Sequence, residues 1–324
     1  MTATVAATKA YDISGNVLKE DLRDIIYDIS PMDTIFMTRA GRGTAKSTTH
    51  EWLTDTLAAV NAKNAAIEGD AFGAVARTLP SRLKNYTQIA RKDFEVTGTA
   101  QKTSNAGMRE LMAYHTAQAS KEIKRDMEAG LLSDEPASAG TSVSARVAAG
   151  AEAWIYAPNH ISVNQSAATT TAPVSGFATS PVTDGTATAF TSAGLNSMLQ
   201  QAWSMGGEVD TILVGPTLYN TISAFTGIAT RFRDVGSRQQ AQIIGAADVY
   251  VSAFGSHNIV LSRWARATTV FALDMSTWEV AYLRPFETID VAKVGDADRR
   301  ALLAEYTLVA KAPMANTKET NVSL

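Results

Sequence analysis

Residues 104–132 read SNAGMRELMAYHTAQASKEIKRDMEAGLL, and they carry the clearest periodic pattern in the chain. Charged residues, Glu128 among them, cover one side of this pattern. Apolar side chains recur at steps of three and four residues, which aligns them on one face of a helix: Met108, Leu111, Met112, His115, Ala119, Ile123, Met127 and Leu131. At ~1.5 Å per residue this helix is about 40 Å long, so we expect it to form the spine of a domain.

The sequence after residue 190 predicts a compact α/β unit followed by a series of strands. Apolar periodicity, with glycine or proline at the ends, indicates helices at 191–207 and 216–225. A polar turn at 295–300 separates the last two strands as a hairpin. Short apolar or alternating runs predict the strands: 210–215, 248–254, 258–262, 268–274, 277–283, 287–294 and 301–311.

The remaining segments predict parts that extend from a core. The first 20 residues are small and polar and are expected to form an arm, followed by a short helix within 29–40. Extended runs at 46–57 and 82–98 predict a long two-stranded ribbon with little core of its own. Because an isolated ribbon is marginally stable in water, we expect it to lie on something else. Residues 133–190 are rich in small and polar residues and predict an insertion of surface loops.

The composition is that of a globular protein, with 45% hydrophobic and 19% charged residues among 324. The chain has no cysteine, which excludes disulfide scaffolds, thiolate zinc sites and thiol nucleophiles. A formal net charge of −3 does not suit a protein whose main task is to grip nucleic acid. No run approaches the ~20 apolar residues of a membrane span, and the N-terminus lacks a signal-peptide pattern. We therefore expect a protein that is cytoplasmic or assembled in the cytoplasm.

The stretch AGRGTAKST (40–48) contains the residue types of a phosphate-binding loop. A Walker-type loop has glycine immediately before its lysine and lies between a strand and a helix. Here Ala45 precedes Lys46, a short helix comes before the stretch, and an extended run follows it. We therefore favour a flexible joint between arm and ribbon, with Gly41 and Gly43 as its hinge residues. The alternative, a phosphate-loop enzyme, predicts ATP binding that is lost in Lys46→Ala.

The sequence shows no other pattern typical of a catalytic or metal-binding site. The four histidines do not show the spacing of metal ligands: His50, His115, His160 and His257. There is no G-x-S-x-G motif for an acyl nucleophile. The sequence therefore predicts no catalytic residue, no cofactor, no metal site and no enzymatic activity. Chains that extend an arm, a ribbon and an insertion beyond their core usually have neighbours to contact.

Several stretches, taken together and in order, resemble one protein family. They are SPMDTIF (30–36), HEWLTDTL (50–57), IEGD (67–70), RLKNYTQIARKDFEVTGT (82–99), EIKRDMEAGLL (122–132), ARVAAGAEAW (145–154) and AKVGDADRRALLAEYTLVAKAPMA (292–315). The pattern resembles the major capsid proteins of tailed bacteriophages, in the branch with no fused scaffold domain. The resemblance covers most of the chain.

The resemblance implies an α+β protein with the Hong Kong ninety-seven type capsid fold. Such a subunit has an N-terminal arm, an extended hairpin loop, a peripheral domain with a long spine helix, and an axial domain. An insertion in this chain would be either an outer-surface decoration or a contact between capsomers. The implied parts are the arm (1–45), the extended loop (46–98), the peripheral domain with the spine helix (99–132), the insertion (133–190), the axial domain (191–272) and the peripheral strands with the C-terminus (273–324).

The resemblance also guides the choice of candidate contact residues. The extended loop would lie across the adjacent subunit, and the arginine-rich loop at 231–240 would form the tip of the axial domain. The hinge candidates are Gly41 and Gly43. The candidates for contacts between subunits are Arg42, Lys46, Trp52, Asp55, Arg82, Arg231, Arg233 and Arg238.

The function implied is structural. The subunit would self-assemble into homo-pentamers and homo-hexamers that form the icosahedral virion shell around double-stranded DNA, after assembly in the host cytoplasm. Its partners would be a separate scaffolding protein, a portal and decoration proteins, with non-specific proximity to DNA and no membrane. We expect neither autocatalytic crosslinks nor removal of an N-terminal segment. The alternative with the same fold is an encapsulin-like bacterial nanocompartment shell.

Overall fold

The computed structural model describes residues 33–65, 67–69, 71, 79–103, 110–161, 169–225, 249–293 and 295–323. Within these ranges the α-helices are α1 (Ile35–Arg39), α2 (Gly98–Lys102), α3 (Leu111–Leu131), α4 (Ala151–Trp154), α5 (Ser192–Ser204) and α6 (Pro216–Ser223). Two short 3-10 turns lie at Met275–Thr277 and Pro313–Ala315.

The strands of the described ranges are arranged in two larger sheets and two short pairs. They are β1 (Gly41–Thr44), β2 (Thr49–Thr54), β3 (Ser81–Tyr86), β4 (Gln88–Thr97), β5 (His160–Ile161), β6 (Thr188–Ala189), β7 (Thr211–Val214), β8 (Val249–Ser252), β9 (Gly255–Leu261), β10 (Val270–Leu273), β11 (Trp278–Val291), β12 (Ala297–Ala310), β13 (Thr317–Glu319) and β14 (Val322–Ser323).

A four-stranded sheet with the order β1-β11-β12-β4 carries the spine helix α3. The described part of that helix begins at Leu111, and 104–109 lies outside the described residues. Its apolar face is buried as predicted, through Met112, Ala119, Ile123, Met127 and Leu131. Strand β11 was predicted as two strands. It continues as one because two register shifts, between Tyr282 and Arg284 and between Arg284 and Glu287, accommodate Pro285 within it.

Glu128 departs from the helical pattern. The sequence placed it on the charged face of the spine, but the side chain is fully buried. Its carboxylate accepts the backbone N–H of Phe36 at 2.6 Å and of Met37 at 2.8 Å, which are free donors at the start of α1. Burial raises the pKa of Glu128, and these hydrogen bonds oppose that rise. A carboxylate on the spine thus fixes the short helix that precedes the first strand.

Residues 33–45 therefore belong to the core of this unit rather than to an arm. Phe36 packs edge-on against Trp278 at 5.7 Å, and β1 pairs in parallel with β11. The predicted arm, 1–45, is corrected at its C-terminal end because an apolar helix and a paired strand bury its last residues. Residues 1–32 lie outside the described residues.

The second sheet has the order β5-β13-β10-β7-β9-β8 and is the α/β unit predicted from the sequence. Alternate side chains of β7 enter two cores: Ile212 and Val214 pack with α5 and α6, while Leu213 joins the core shared with the spine. This explains why three consecutive residues of the run DTILVG, Ile212 to Val214, are apolar without alternation. The predicted boundary at 273 is corrected at the chain end, because β13 pairs with β10 in this sheet.

The insertion at 133–190 is not only surface loop. Helix α4 is wholly buried, and Trp154 and Ile155 lie in the core shared by the two sheets. Strand β5 adds an edge to the six-stranded sheet, and β6 pairs with β14 near the chain end. The composition suggested loops because small residues dominate, yet small residues also allow this segment to pack closely between the sheets.

The predicted ribbon is present but shorter than expected. Strands β2 and β3 pair antiparallel, from Thr49 opposite Tyr86 to Thr54 opposite Ser81. Strand β4 follows after Thr87 but pairs with β12 in the four-stranded sheet. Within the predicted extended loop, 46–98, the ten residues of β4 belong to the four-stranded sheet rather than to the ribbon, and the last residue begins α2. We use "ribbon" below for β2, β3 and the chain that joins them.

Candidate assembly surfaces

The root of the ribbon is the part of β2 and β3 next to the four-stranded sheet, with the bend at Thr87 that follows β3. It is held to its own subunit by Trp52. The indole Nε1 donates to the backbone oxygen of Ala310 at 2.9 Å, and the ring lies 5.4 Å from the ring of buried Trp154. The sequence proposed Trp52 as a contact between subunits. Within the subunit, alternation along β2 directs this half-buried side chain toward the sheet. Its contact with a neighbouring subunit stays a prediction.

Asn85, at the end of β3, is the most fully bonded polar residue of the root. Its Nδ2 donates to the backbone oxygens of Leu308 at 2.8 Å and Ala149 at 3.3 Å. Its Oδ1 accepts the backbone N–H of Ala149 at 2.9 Å and of Tyr86 at 3.0 Å. The side chain is fully buried, so all these bonds are made away from solvent. Asn85 joins β3, β12 and the insertion at one point, and no sequence pattern identified it.

Glu305 on β12 joins the root to two arginines. Its Oε1 accepts from Thr87 Oγ1 and from Arg146 Nη2, each at 2.7 Å, while Oε2 accepts from Arg284 Nε at 2.9 Å. Burial alone would raise the pKa of Glu305, but the hydrogen bonds and the two positive charges outweigh it and lower that pKa. The carboxylate is therefore ionised and locks the bend between β3 and β4.

Away from the root, the ribbon exposes large apolar side chains. Leu57 and Val60 are 98% and 97% exposed, with no packing from their own subunit. We call this group the ribbon tip, defined by Leu53, Leu57, Val60, Ile67 and Leu79, all of them exposed. Because these side chains all lie on one segment of the chain, between residues 53 and 79, this segment is a candidate surface for binding another molecule.

The charged candidates on the ribbon have different surroundings. Asp55 is exposed, and its Oδ1 accepts the N–H of Thr56 at 2.9 Å. Arg82 bonds Glu51 across the ribbon at 3.2 Å, and Lys84 bonds the same carboxylate at 3.2 Å. Exposed pairs of this kind contribute little to stability, so Arg82 remains able to exchange Glu51 for another acidic partner.

The stretch at 40–48 takes a different form from the one expected. Gly41 and Gly43 lie in β1, paired opposite Glu279 and Ala281, so they are not placed as a hinge. The side chain of Glu279 lies directly against Gly43, where a Cβ would meet its carboxylate unless that side chain moved. No helix follows β1, and a carboxylate occupies the space beside the glycine, so the stretch does not fit a phosphate-binding loop. Arg42 and Lys46 are exposed, as predicted.

A second exposed apolar group lies on the six-stranded unit. Trp203, at the end of α5, is 62% exposed, and its ring lies 5.9 Å from that of Phe254 in the turn between β8 and β9. We call this group the axial patch, defined by Trp203, Met205, Val249, Val251 and Phe254. The predicted contact residues of the neighbouring loop lie outside the described residues: Arg231, Arg233 and Arg238.

A buried charged cluster fastens the insertion to the chain end. Glu152 Oε1 accepts from Arg266 at 3.3 Å and from Thr269 at 3.2 Å, and Arg266 also bonds Asp184. Lys318 Nζ donates to the backbone oxygen of Glu152 and to a threonine hydroxyl of the insertion. Burial lowers the pKa of Lys318 to about 7 and raises that of Glu152. Both side chains are enclosed, so the cluster is structural and not open to a substrate.

Metal and membrane sites are also tested by the structure. Within the described ranges, no group of three or more histidine, aspartate or glutamate side chains is placed to hold a metal ion. No helix in the part of the chain that the structure describes is both long and apolar enough to cross a membrane.

Comparisons with known proteins agree with this architecture. Residues 2–323 match the SU10 major capsid protein family. The major capsid protein of Escherichia phage Phieco32 is 27% identical over 343 aligned positions, which cover 95% of this chain and 94% of that protein.

Solved structures with a similar fold include the capsids of a GTA particle and of several phages. The capsid of a native GTA particle superimposes with a TM-score of 0.63 at 11% identity, over 99% of this chain and 100% of that one. A structure from Mycobacterium phage Bobi gives a TM-score of 0.58 at 12% identity, over 97% and 99%.

These findings decide between the hypotheses left open by the sequence. The α+β capsid fold is confirmed by the structural neighbours. The nanocompartment shell and the phosphate-loop enzyme are not supported, since the family and the relative are both phage capsid proteins. The chain is a structural protein of the virion shell of a tailed phage, and it belongs to the SU10 major capsid protein family.

Proposed function

We propose that this subunit builds its shell through two unlike apolar surfaces, the ribbon tip and the axial patch. The observation that supports this is the exposure of two separate sets of large apolar side chains, one on the ribbon, where Leu57 and Val60 are almost wholly exposed, and one on the six-stranded unit, where Trp203 is mostly exposed. Ring-closing interfaces join one surface to a different surface of the next copy, whereas a two-fold dimer uses a single surface twice. Two unlike surfaces therefore suit homo-pentamers and homo-hexamers.

The exposed charges would supply the polar rim of these contacts. Arg42 and Lys46 are exposed beside the sheet, and Asp55 is exposed at the ribbon. Arg82 would exchange its exposed partner Glu51 for a carboxylate of the next copy. Rim charges of this kind select partners and orientation more than they add affinity. The role of Arg231, Arg233 and Arg238 at the capsomer axis stays a prediction.

We further propose the division of the chain into parts. The extended loop would be the ribbon, 49–86, and the axial domain would comprise the six-stranded unit between 191 and 272 with the chain end at 317–323. The peripheral domain would comprise the spine and the four-stranded sheet. The formal net charge of −3 on the whole chain would let the shell enclose DNA without binding it tightly.

Other proteins would assist assembly. One structural neighbour is the procapsid of satellite phage P4, which includes a size determination protein, and another, from phage G, contains decoration proteins. For this chain we propose a separate scaffolding protein, a portal and decoration proteins. We also propose that its subunits are not covalently crosslinked. A denaturing gel of mature shells is expected to show one monomer band, and a ladder of multiples would contradict this.

The proposed interfaces are tested by electron microscopy and sedimentation of the concentrated protein. The wild type is expected to form hollow particles, rings or sheets. Val60→Asp in the ribbon tip and Val251→Asp in the axial patch are expected to remain single folded subunits. Val143→Asp serves as the matched control, because this valine is 95% exposed but belongs to neither surface. A wild type that remains monomeric at every concentration, or variants that assemble normally, would contradict the proposal.

A further inference from the structure

A tight turn of the insertion lies against the ribbon root. Val174 and Phe177 exchange both of their backbone hydrogen bonds, at 2.9 and 3.0 Å. The two residues between them have positive φ, 51° at Ser175 and 90° at Gly176, as in a type I′ turn. The turn is therefore a defined hairpin and not a loose loop.

The backbone of this turn covers the free edge of β3. The N–H of Lys84 donates to the carbonyl oxygen of Gly176 at 2.8 Å. A Cβ on Gly176 would lie only 2.3 Å from the carbonyl oxygen of Arg82. Backbone groups two residues apart point to the same edge of an antiparallel strand, so Arg82 and Lys84 present the edge that faces away from β2. Only glycine allows the turn to approach this edge so closely.

Side chains strengthen the same contact. The ring of Phe177 stacks on that of Tyr86, with centroids 4.5 Å apart and planes 13° apart. The ammonium of Lys84 lies 5.8 Å from the centroid of the Phe177 ring. The N–H of Ala137 donates to the carbonyl oxygen of Ala178 at 2.7 Å, which ties the turn to the start of the insertion.

A second segment of the insertion holds the adjacent bend. Arg146 Nε donates to the backbone oxygen of Thr87 at 3.2 Å, and the N–H of Ala148 donates to Gln88 Oε1 at 3.2 Å. Together with the bonds of Asn85 described above, these contacts immobilise the chain between β3 and β4. The insertion thus contacts the ribbon root at two places, 146–149 and 174–178.

We infer that the insertion is a bracket that sets the direction in which the ribbon leaves the subunit, with Gly176 and Phe177 as positioning residues. A two-stranded ribbon does not hold its own direction in water, and here the bracket supplies backbone and aromatic contacts along β3. This role differs from the two suggested by the sequence, a decoration and a contact between capsomers. Its importance for assembly rests on the proposed function, since direction matters only if the tip meets a neighbour.

The test measures ribbon direction in the unassembled subunit. Spin labels are attached at Leu57→Cys on the ribbon and Ala117→Cys on the exposed side of α3, in a chain with no native cysteine. Pulsed electron resonance then gives the distribution of distances between them. Gly176→Ala and Phe177→Ala are expected to broaden this distribution about twofold, because local contacts that hold the ribbon are lost.

The matched controls carry the same chemical changes elsewhere. Gly206 has φ 86° and nothing within 4 Å of an added Cβ, so Gly206→Ala introduces the same backbone strain without touching the ribbon. Phe254→Ala removes an aromatic ring distant from the root in the same way. Both controls are expected to leave the distance distribution unchanged. Unchanged distributions in Gly176→Ala and Phe177→Ala would overturn the bracket.

Assembly of chains without labels separates the two proposals. If the wild type forms shells, Gly176→Ala is expected to form them more slowly than Gly295→Ala, whose glycine has φ 80°, has nothing within 4 Å of an added Cβ and lies in neither proposed surface. Equal rates would contradict a role of the bracket in assembly. If the wild type forms no shells, the proposed interfaces fail while the distance measurement still decides on the bracket.

Discussion

The two ends of the ribbon differ in what surrounds them. At the root, Trp52, Asn85 and Glu305 make contacts with three other parts of the subunit, and their polar groups are bonded. At the tip, Leu57 and Val60 are almost wholly exposed. The root therefore contributes to the folding free energy of one subunit. The tip contributes little to that free energy and is free to contribute to association between copies.

The largest effect on folding is expected at the aromatic core of the root. Trp154→Ala removes a fully buried indole that contacts Trp52, and it should lower the free energy of unfolding by about 3–5 kcal/mol. The matched control is Trp203→Ala, whose indole is mostly exposed and should change stability by less than ~1 kcal/mol. Denaturant unfolding measures both, and equal losses would contradict the contrast between root and surface.

The next largest loss of folding stability is expected from Asn85, the buried polar residue of the root. Asn85→Ala leaves the buried backbone groups of Leu308 and Ala149 without their partner, which should cost about 2–3 kcal/mol. Asn61→Ala in the ribbon removes a similar bond, from Lys63 N–H at 3.0 Å, but in an exposed position. Asn61→Ala is therefore expected to lower the free energy of unfolding by less than ~0.5 kcal/mol. A loss at Asn61 as large as that at Asn85 would show that the tip is structured by its own contacts.

The folding stability is expected to depend on pH through Glu305. Its pKa is lower in the folded state than in the unfolded state, so its stabilising contribution is present above the unfolded pKa near 4.5. That contribution is lost as the pH falls through the folded pKa. Glu305→Gln should therefore lower stability by about 1–3 kcal/mol at pH 7 and flatten the acid limb of the stability curve.

The control for this titration is Glu51→Gln on the exposed face of the ribbon. Glu51 contacts Arg82 and Lys84, but these pairs are largely open to solvent. We expect Glu51→Gln to change the free energy of unfolding by less than ~1 kcal/mol. Its loss of stability at acidic pH should follow that of the wild type. An acid limb that is the same in Glu305→Gln and in the wild type would refute the assignment of the lowered pKa to the root.

The smallest effect on folding is expected at the tip. Leu57→Ser combined with Val60→Ser removes apolar groups that touch nothing in the subunit, so stability should change by less than ~0.5 kcal/mol. Light scattering should nevertheless show a strong loss of assembly. A destabilised variant would contradict the claim that the tip contributes little to folding. A variant that assembles at the normal rate would contradict the claim that the tip contributes to association.

The sequence predicted the parts whose signals are local. The spine helix, the helices and strands of the α/β unit, and the ribbon pairing all follow from periodicity and from turn residues near them. The wrong predictions concern contacts made over long distances along the chain. Glu128 looked like a surface charge because its partners, Phe36 and Met37, lie about 90 residues away.

The same reason explains the contacts within the subunit that the sequence did not identify. Trp52 and Asn85 bond to β12, and Gly43 lies against the side chain of Glu279, all more than 200 residues further along. The buried insertion was missed because small residues signal loops in composition but also allow close packing. Arg42 and Lys46 are exposed, as their charge predicts, and their contact with a neighbouring subunit stays a prediction.

The most direct test of the central claim compares the reactivity of one tip position in the free subunit and in the shell. A single cysteine at Leu57→Cys is labelled with a maleimide in both states, with Val143→Cys as the exposed control outside the tip. If the tip is covered by a neighbouring copy, labelling at position 57 should slow at least about tenfold on assembly, while labelling at position 143 stays fast. Equal labelling at position 57 in subunit and shell would contradict the account.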